Sequence, residues 1–415
     1  MAEETISLKG NEWSSFANLK SVSRKTRKIL YIQYTNPAAF PPLEHSSQIL
    51  ANDGWSVLFL GIGAMGGADA LRFAQHERVD VRQMAFCKRG LMQKLHYVRF
   101  TLWTLAWAIW WRPEWLYASD LLSCPAARLI NLLLGVKVIY HEHDSPEATG
   151  ATFFMRICLS ARKQLARHSQ ICILPNEQRA SIFAEQTGAE NMLCVWNCPA
   201  RAEAEMSGGD HENEAFWVLY HGSIVPPRLP ETVLFALTML PERVKLRVIG
   251  YETVGHLGYV EELREMAMKL GIANRMEFLG SIPTRGELLE LCRKSDVGLA
   301  FMPENGGDIN LRYMAGASNK PFDYLASGLT LLVTDLPEWR KMFVEPGYAL
   351  ACDPKSAESI ASALRWLIDH PEQARQMGEL GREKIIAEWH YEKAFSPVIK
   401  RLSTHSFQES SNGAD

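Results

Sequence analysis

The chain has 415 residues, which is too long for a single ordinary hydrophobic core and therefore predicts two domains. Its composition, with 47% hydrophobic and 22% charged residues, is typical of a globular protein. A net charge of −3 excludes a general electrostatic attraction to nucleic acid, so we expect no nucleic-acid partner.

The eight cysteines are scattered, and none forms a C-x-x-C pair. Most lie in apolar runs, which predicts reduced, buried thiols of a cytoplasmic protein instead of disulfides or a zinc site. The first thirty residues are polar and basic without an apolar core, so we expect no secretory signal. The longest uncharged apolar run, residues 100–111, is too short to span a membrane.

Short apolar runs alternate with helical patterns, which predicts βαβ units and parallel sheets. In the first half we predict a helix over 43–52 and strands over 29–34, 55–60, 79–86, 115–118, 136–141 and 171–174. In the second half we predict strands over 216–220, 246–250, 276–279, 297–302 and 329–334, with helices over 230–239, 259–270 and 285–294.

Residues 202–215 are acidic and aperiodic, so they are the best candidate for a linker between the halves. The pattern on both sides predicts an α/β protein with two Rossmann-like domains facing a central cleft. Residues 356–369 and 371–389 have helical patterns, and the residues after Thr404 are predicted to be disordered.

The segment 318–338 combines a polar loop, a helix start and a strand. The helix is predicted to open at Pro321 and Asp323, because proline needs no N–H there and an early acid suits the positive helix end. Gly328 ends it, and 329–334 follows as a buried strand. Free N–H groups at such a helix start bind anions, usually phosphate, and Asp323 could accept hydrogen bonds from sugar hydroxyls beside it.

The second half opens with a strand that ends at Gly222, and Arg228 follows six positions later. Glycine lets the backbone approach a ligand closely, and arginine can bind phosphate oxygens through two N–H groups. Alone, Arg228 would be interpreted as a surface cation. Its occurrence in one domain with the segment 318–328 predicts a phosphate site.

Four stretches occur in an order seen in one enzyme family: Gly222 with Arg228, 279–283, 295–300 and 319–328. On these motifs the chain resembles the retaining glycosyltransferases of the GT-B fold, the group 1 enzymes that use nucleotide-sugar donors. The match is clear over roughly residues 216–395 and vaguer over the first 200, as expected if that half carries variable acceptor recognition.

The resemblance implies two Rossmann-like domains with the donor in the second, and no obligatory metal or other cofactor. It also implies a last helix that crosses back to the first domain from about Trp389. We therefore expect an acceptor domain at 1–205, a donor domain at 206–388, and the crossing helix with a disordered tail at 389–415.

Residue by residue, the resemblance assigns donor contacts to Gly222, Ser223, Arg228, Asn319, Lys320 and Asp323. Arg228 would contact the donor pyrophosphate as a catalytic residue. Asp323 matches the second Glu of the family's E-x(7)-E motif, which holds the donor ribose. The alternative interpretation makes Asp323 a helix-start acid and Lys320 a solvated surface cation.

Two positions depart from the family pattern. Ser223 stands where the family has an arginine, and Ala315 stands where the first Glu of the motif is expected. Since that Glu faces the donor sugar in the family, Asp308 or Glu304 could supply a substitute carboxylate.

In the first half, the strand 136–141 delivers His141, Glu142, His143 and Asp144 at its carboxyl end, where ligands of open α/β sheets bind. His143 matches a family histidine, and we assign it a catalytic or acceptor-contact role, with His141 beside it. The alternative is a pair of hydrogen-bonded strand-end histidines. Adjacent strand positions face opposite sides, so we expect no metal. Ser119 and Asp120, at the end of an earlier strand, are weaker cleft candidates.

Gly61, Gly63 and Gly66 satisfy G-x-G-x-x-G after a strand. The pattern follows the second predicted strand instead of the first, and Asp80 lies inside a strand. A dinucleotide site, and with it an NAD(P)-dependent oxidoreductase, is therefore the minor alternative to a glycine-rich turn.

Residues 99–112 are rich in tryptophan, with Phe100, Trp103, Trp107 and Trp110 on one helical face and cations before it. Such a face is typical of a buried helix or of an interfacial helix that contacts a membrane. Peripheral contact through 100–111 is the second hypothesis, since related enzymes often use lipid-linked acceptors.

Together these features predict transfer of a sugar from a nucleoside-diphosphate donor to an acceptor hydroxyl, with retention at the anomeric carbon. The acceptor would be a glycan or a lipid-linked molecule in glycan, polysaccharide or glycolipid synthesis, in the cytoplasm or at the inner face of the membrane. A non-catalytic GT-B relative that serves as a scaffold is an alternative, motivated by Ser223 and Ala315.

Overall fold

The computed structural model describes residues 26–146, 150–206, 215–253, 255–303 and 307–412. Its first sheet is parallel throughout, with strand order β3-β2-β1-β4-β5-β6-β7. The strands are β1 (Lys28–Ile32), β2 (Ser56–Ile62), β3 (Val79–Met84), β4 (Trp115–Ser119), β5 (Lys137–His141), β6 (Ile171–Leu174) and β7 (Met192–Cys194).

The second sheet is also parallel, with strand order β10-β9-β8-β11-β12-β13. Its strands are β8 (Phe216–Ile224), β9 (Val244–Glu252), β10 (Met276–Gly280), β11 (Val297–Ala300), β12 (Thr330–Thr334) and β13 (Ala349–Cys352). The prediction of two Rossmann-like α/β domains is confirmed.

Helices cover both faces of each sheet. Those before the second sheet are α1 (Pro41–Asn52), α2 (Leu91–Trp111), α3 (Cys124–Leu134), α4 (Phe153–His168), α5 (Glu177–Thr187) and α6 (Arg201–Glu205). The others are α7 (Thr232–Thr238), α8 (Tyr259–Lys269), α9 (Arg285–Arg293), α10 (Ile309–Arg312), α11 (Asn319–Ala326), α12 (Pro337–Trp339), α13 (Ala357–Asp369), α14 (Pro371–Ala387) and α15 (Tyr391–Asn412).

The central strands form because their residues are apolar on both faces, as a parallel sheet covered by helices requires. Leu30 and Ile32 of β1 pack into one core with α3, while Ile29 and Tyr31 pack into the core on the opposite face. The edge strands β7 and β13 were not predicted. They are short, and several of their side chains are only half-buried.

The last helix packs on the first sheet, away from the helices that precede it in the chain. Its Tyr391, Phe395, Val398 and Leu402 lie in the same core as Tyr31. It runs to Asn412, so the first part of the tail for which we predicted disorder is helical. Helix α6 overlaps the start of the predicted linker, 202–215, and it packs on α11 and α14 of the second half.

Helix α2 turns its aromatic residues largely inward. Phe100 is fully buried, and Trp103 and Trp107 pack partly buried against the core, while Trp110 is exposed. The face formed by these four residues is therefore mostly a packing face, as in the first of our two hypotheses. Within the described residues, no helix is long and apolar enough to cross a membrane.

Candidate functional site

A cavity of about 310 Å³ opens between the carboxyl ends of the two sheets. His143 and Asp144 line it from the first domain, and Gly222, Arg228 and Lys320 line it from the second. Ligands of open α/β folds bind at this edge because the loops and helix starts converge there. The structure thus brings the predicted donor-binding residues of the second half and His143 of the first half into one space.

The floor of the cavity is formed by two glycines on neighbouring strands. Gly222 of β8 pairs with Gly250 of β9, and both have a positive φ, +108° and +136°. A Cβ at Gly250 would overlap the carbonyl group of Gly222, and a Cβ at Gly222 would lie 2.8 Å from Cε of Lys320. Only glycine therefore allows the strands and the Lys320 side chain to approach this closely.

Helix α11 points its first turn at this floor. Ser318 is its N-cap, and the helix begins at Asn319, so the predicted start at Pro321 was two residues too late. Ser318, Asn319 and Lys320 line the cavity, and the buried Oδ1 atom of Asn319 has no hydrogen-bond partner among the described residues. The first N–H groups of a helix have no intrahelical acceptor, which makes this end a site for an anion.

Two cations lie beside this helix start. Lys320 is buried and its Nζ lies 5.7 Å from the ring centroid of Tyr220, while Arg228 is half-buried on the turn after β8. The pKa of Lys320 is lowered to about 7, chiefly by burial and also by the neighbouring Arg228, while Asp323 opposes the shift. An anion bound here would restore the charge of Lys320, because it would offset both burial and repulsion.

Asp323 lines the same cavity but is already paired. Arg285 donates from Nη2 to Oδ1 at 2.6 Å and from Nη1 to Oδ2 at 3.3 Å, and Nε2 of His221 lies 3.5 Å from Oδ2. Burial raises the pKa of Asp323 although Arg285 opposes the shift. Each carboxylate oxygen keeps a lone pair, so Asp323 can still accept a hydrogen bond from a hydroxyl group of a ligand.

Arg285 joins two carboxylates that are far apart in sequence. Besides Asp323, it binds Glu203 of α6, from Nε to Oε1 at 2.6 Å and from Nη2 to Oε2 at 3.0 Å. Burial works to raise the pKa of Glu203, but Arg285 and His45 outweigh it and the net shift is downward. His45, on α1 of the first domain, lies 3.3 Å from Glu203, so the network reaches across both domains.

Neither Arg285 nor Glu203 was singled out from the sequence. Glu203 lies in the acidic stretch that we interpreted as a linker. The only sequence signal for Arg285 was its place at the start of a predicted helix, after Thr284 and before Glu287, which form a capping box.

On the first-domain side, His143 faces the cavity with both ring nitrogens buried and without hydrogen-bond partners among the described residues. Burial lowers its pKa to about 3, helped by Arg179, so the imidazole is neutral at pH 7. Arg179, which was not predicted, also lines the cavity, is almost fully buried and donates to the carbonyl oxygen of His143.

The other predicted cleft residues lie behind His143. His141 is fully buried, its ring centroid is 3.8 Å from that of His143, and Tyr117 binds its Nδ1. Ser119 is buried in β4, and Asp120 accepts from the backbone N–H of His143 at 2.8 Å. Neither Ser119 nor Asp120 lines the cavity itself, and Asp120 holds the His143 backbone in place.

The part of the chain that the structure describes contains no group of three potential metal ligands. The rings of His141 and His143 contact each other at an angle of 40°, and Nδ1 of His141 is already engaged by Tyr117. The described residues place no third potential ligand beside these two histidines.

The glycine pattern at Gly61 leads into no helix. After β2 the chain forms a 3₁₀ turn at Gly66–Asp69, and the next regular element is β3. Gly61 packs on Pro37, and Gly67 packs on Tyr251 of the second domain. The dinucleotide alternative lacks its defining feature, because no α-helix follows these glycines before β3 in the described chain to receive a pyrophosphate.

Three asparagines hold the two domains together around the cavity. Asn176 and Asn197 donate to the carbonyl oxygens of Ala315 and Ala317, both at 2.6 Å. Asn310 accepts from the N–H of Ser145 at 2.7 Å and donates to its carbonyl oxygen at 2.9 Å. These bonds fix the loop that leads into α11 relative to the first domain.

Comparison with known families assigns both halves. Residues 203–384 match the model described as glycosyl transferases group 1, and residues 43–196 match the glycosyl transferase 4-like domain. The chain therefore has the GT-B fold, and its second half matches a group 1 glycosyltransferase domain. A search of curated protein sequences finds no significant match.

Solved structures similar to this glycosyltransferase include Anabaena HepE in complex with UDP and glucose. HepE is 14% identical with a TM-score of 0.70, and the match covers 91% of this chain and 100% of that one. Sucrose-phosphate synthase from Thermosynechococcus elongatus is 14% identical with a TM-score of 0.64, covering 94% and 100%. WaaG, a glycosyltransferase involved in lipopolysaccharide biosynthesis, is 13% identical with a TM-score of 0.63, covering 89% and 98%.

The glycosyltransferase keeps its two departures from the family pattern in the structure. Ser223 lines the cavity, while the carbonyl oxygen of Ala315 is bound by Asn176. Asp308 caps α10 through the N–H of Asn310 and does not itself line the cavity, although it interacts electrostatically with Asp144, which does. Glu304, the other candidate, lies outside the described residues.

Proposed function

We propose that this glycosyltransferase moves a sugar from a nucleoside-diphosphate donor to an acceptor hydroxyl with retention of anomeric configuration. The observation that carries the proposal is the convergence of Arg228, Lys320 and the first turn of α11 on one end of the cavity. Two cations and a helix N-terminus neutralise a diphosphate, which is the leaving group of such a transfer.

The charges suit the leaving group more than the intact donor. Breaking the glycosidic bond places additional negative charge on the diphosphate, and fixed donors beside that charge stabilise the transition state by several kcal/mol. Asp323, which Arg285 holds in position, would orient the donor by accepting a hydrogen bond from a ribose hydroxyl. Gly222 and Ser223 would let the phosphates approach the floor.

His143 would contact the donor sugar or the acceptor from the opposite wall. As a neutral imidazole whose two nitrogens have no partner among the described residues, it can donate one hydrogen bond and accept another, but it is a weak base. The acceptor proton would pass to the departing phosphate oxygen, which is the usual proposal for retaining members of the family.

We propose uridine diphosphate as the carrier, because HepE was crystallised with UDP and glucose and with UDP-glucose. The acceptor would be a hydroxyl of a glycan or a lipid-linked molecule in polysaccharide or glycolipid synthesis at the cytoplasmic side of the membrane. The proposed domains are an acceptor domain at 1–205, a donor domain at 206–388 and the returning helix at 389–415.

A thermal-shift screen with UDP, GDP, ADP and their sugars tests the donor. We expect UDP and at least one UDP-sugar to raise Tm, and the same sugar to be transferred to a simple acceptor or slowly to water. The anomeric coupling constant of the product, measured by NMR before mutarotation, reports the stereochemistry. An inverted product would refute retention, and absence of any nucleotide response would refute the donor site.

The affinity for a UDP-sugar is expected to fall as pH rises above 7. Lys320 attracts the diphosphate only when its amino group is charged. The affinity is therefore constant below the Lys320 pKa of about 7 and weakens by up to about tenfold per pH unit above it. A UDP-sugar suits this titration because its pyrophosphate does not titrate near neutrality. Lys320→Arg is the control, because arginine stays charged and should give a flat profile; the same slope in both proteins would exclude Lys320 as its source.

A non-catalytic relative is the second candidate, favoured by Ala315. The wall formed by Met314 and Ala317 carries no carboxylate where the family places one facing the sugar. A protein that binds UDP but neither transfers nor hydrolyses any sugar of the donor panel would support this candidate over the enzyme.

A further inference from the structure

Helix α2 exposes a stripe of large apolar side chains on the side away from its core face. Leu91, Leu95, Val98, Leu102 and Ile109 lie on one narrow face, because 3.6 residues complete a helical turn. They are between 53% and 82% exposed, and the neighbouring Met92 and Trp110 widen the stripe. The stripe is about 27 Å long.

Positive charge surrounds this stripe. Residues 81–113 contain six lysines and arginines and no acidic residue, although the whole chain has a net charge of −3; one of the six, Arg82, is paired with Asp80 at 2.8 Å. Lys88 and Arg89 precede the helix, and Lys94 and Arg99 lie on opposite flanks of the stripe; all four are exposed. None of them forms an ion pair with an acid in the described part of the chain.

The start of α2 lies at the cavity edge of the first sheet. His96 binds the hydroxyl group of Tyr34 at 2.8 Å, and Tyr97 donates to the carbonyl oxygen of Leu122 at 2.8 Å. Tyr34 follows the carboxyl end of β1 and Leu122 follows that of β4, the same sheet edge at which His143 faces the cavity. A surface bound by the stripe would therefore pass near the cavity mouth.

We propose that α2 is an interfacial helix that lies on an anionic lipid surface, with the stripe among the acyl chains and the flanking cations at the headgroups. The two signals reinforce each other, since apolar burial and attraction to anionic lipid add in peripheral binding. The proposal differs from the sequence-based hypothesis, which used the aromatic face that packs against the core. It does not depend on the proposed sugar transfer.

The charges also distinguish a lipid surface from a second copy of the chain. A symmetric dimer through the stripe would bring the cations of one copy against those of the other, with no acid on α2 to offset them. An anionic bilayer instead presents the complementary charge along the whole helix.

Co-sedimentation of the full chain with lipid vesicles tests the proposal. We expect binding to phosphatidylcholine vesicles that contain about one third phosphatidylglycerol, weaker binding at high salt, and little binding to pure phosphatidylcholine. Lys94→Gln with Arg99→Gln should weaken binding about 20- to 30-fold. Leu95→Gln with Leu102→Gln should weaken it by at least about tenfold, since both lose apolar contact with the bilayer.

Matched controls come from the second domain. Leu257→Gln with Leu380→Gln removes two exposed leucines, and Lys269→Gln with Arg375→Gln removes two exposed cations. Both control pairs should bind vesicles like the wild type. No binding to anionic vesicles, equal binding to neutral vesicles, or equal losses in the controls would overturn the proposal. So would a dimer in light scattering that the α2 variants dissociate without any vesicle binding.

The outcome is separable from that of the donor site. Soluble UDP should raise Tm equally in the wild type and in the α2 variants, because none of the substituted residues lines the cavity. Lost vesicle binding with an intact UDP response locates the defect in the surface. An absent UDP response with intact vesicle binding would refute the donor site alone.

Discussion

The Arg228→Ala variant is expected to lose about 10²- to 10³-fold in kcat/KM for the sugar donor. The guanidinium lies at the cavity wall beside Lys320 and the start of α11, where the leaving diphosphate would gain charge. Lys320 can offset part of the loss, since Arg228 lowers its pKa and removal of that repulsion leaves more of Lys320 protonated. Above pH 7, the loss of kcat/KM in Arg228→Ala should therefore be smaller than the removal of one full positive charge would cause.

Arg243→Ala is the matched control for this experiment. Arg243 is exposed and directly precedes β9, so it lies at the edge of the sheet opposite to the cavity. Initial-rate kinetics should show no change in kcat/KM for this variant. If Arg228→Ala kept the wild-type kcat/KM, or if both variants lost activity equally, the assignment of the diphosphate to this end of the cavity would fail.

The Arg285→Ala variant is expected to lower the free energy of unfolding by about 3–5 kcal/mol. Removal of the Arg285 guanidinium leaves the carboxylates of Asp323 and Glu203 without their shared cation, and Asp323 is almost fully buried. Urea denaturation measures the loss. The loss should shrink as pH falls, because burial without Arg285 would raise the pKa of both carboxylates in the folded state, so that they take up protons there before they do in the unfolded chain.

Arg293→Ala on the same helix is the control for loss of arginine packing alone. Arg293 is similarly buried and forms no ion pair with an acid among the described residues. We expect a distinctly smaller loss of stability from it, without the pH dependence. A second comparison combines Arg285→Met with Asp323→Asn and Glu203→Gln, which should recover most of the stability; equal losses in all three proteins would contradict the ion-pair explanation.

The sheets could be predicted from sequence because their strands carry the pattern that a buried parallel strand requires. The runs at β1, β5 and β6 are apolar on both faces, and β6 was placed with its observed bounds, Ile171–Leu174. β7 and β13 escaped prediction since strands of only three and four residues at a sheet edge, several of them half-buried, give no periodic signal.

The site was predictable only where local motifs carry it. Gly222 and the segment around Lys320 have distinctive local chemistry, and the structure places them in contact. The network of Glu203 with Arg285 was not accessible, because these residues are 82 positions apart and meet only after α6 docks on the second domain. Such a pairing depends on tertiary packing, which no local pattern encodes.

The exposed face of α2 was unpredictable for a different reason. The helix is apolar nearly all round, so its sequence does not indicate which side packs. Contact with α3 and the core fixes Phe100 inward and leaves Leu95 and Leu102 outward. The aromatic face of α2 could therefore be recognised in the sequence, whereas the sequence did not show whether that face is buried or exposed.

Hydrogen exchange measured by mass spectrometry with and without UDP tests most directly whether a diphosphate lies at the start of α11. We predict that UDP slows amide exchange in peptides that cover 222–228 and 319–324, and that Arg228→Ala weakens this protection while Arg243→Ala does not. Unchanged exchange in both segments under saturating UDP, or protection centred on residues 61–67, would contradict the proposed donor site.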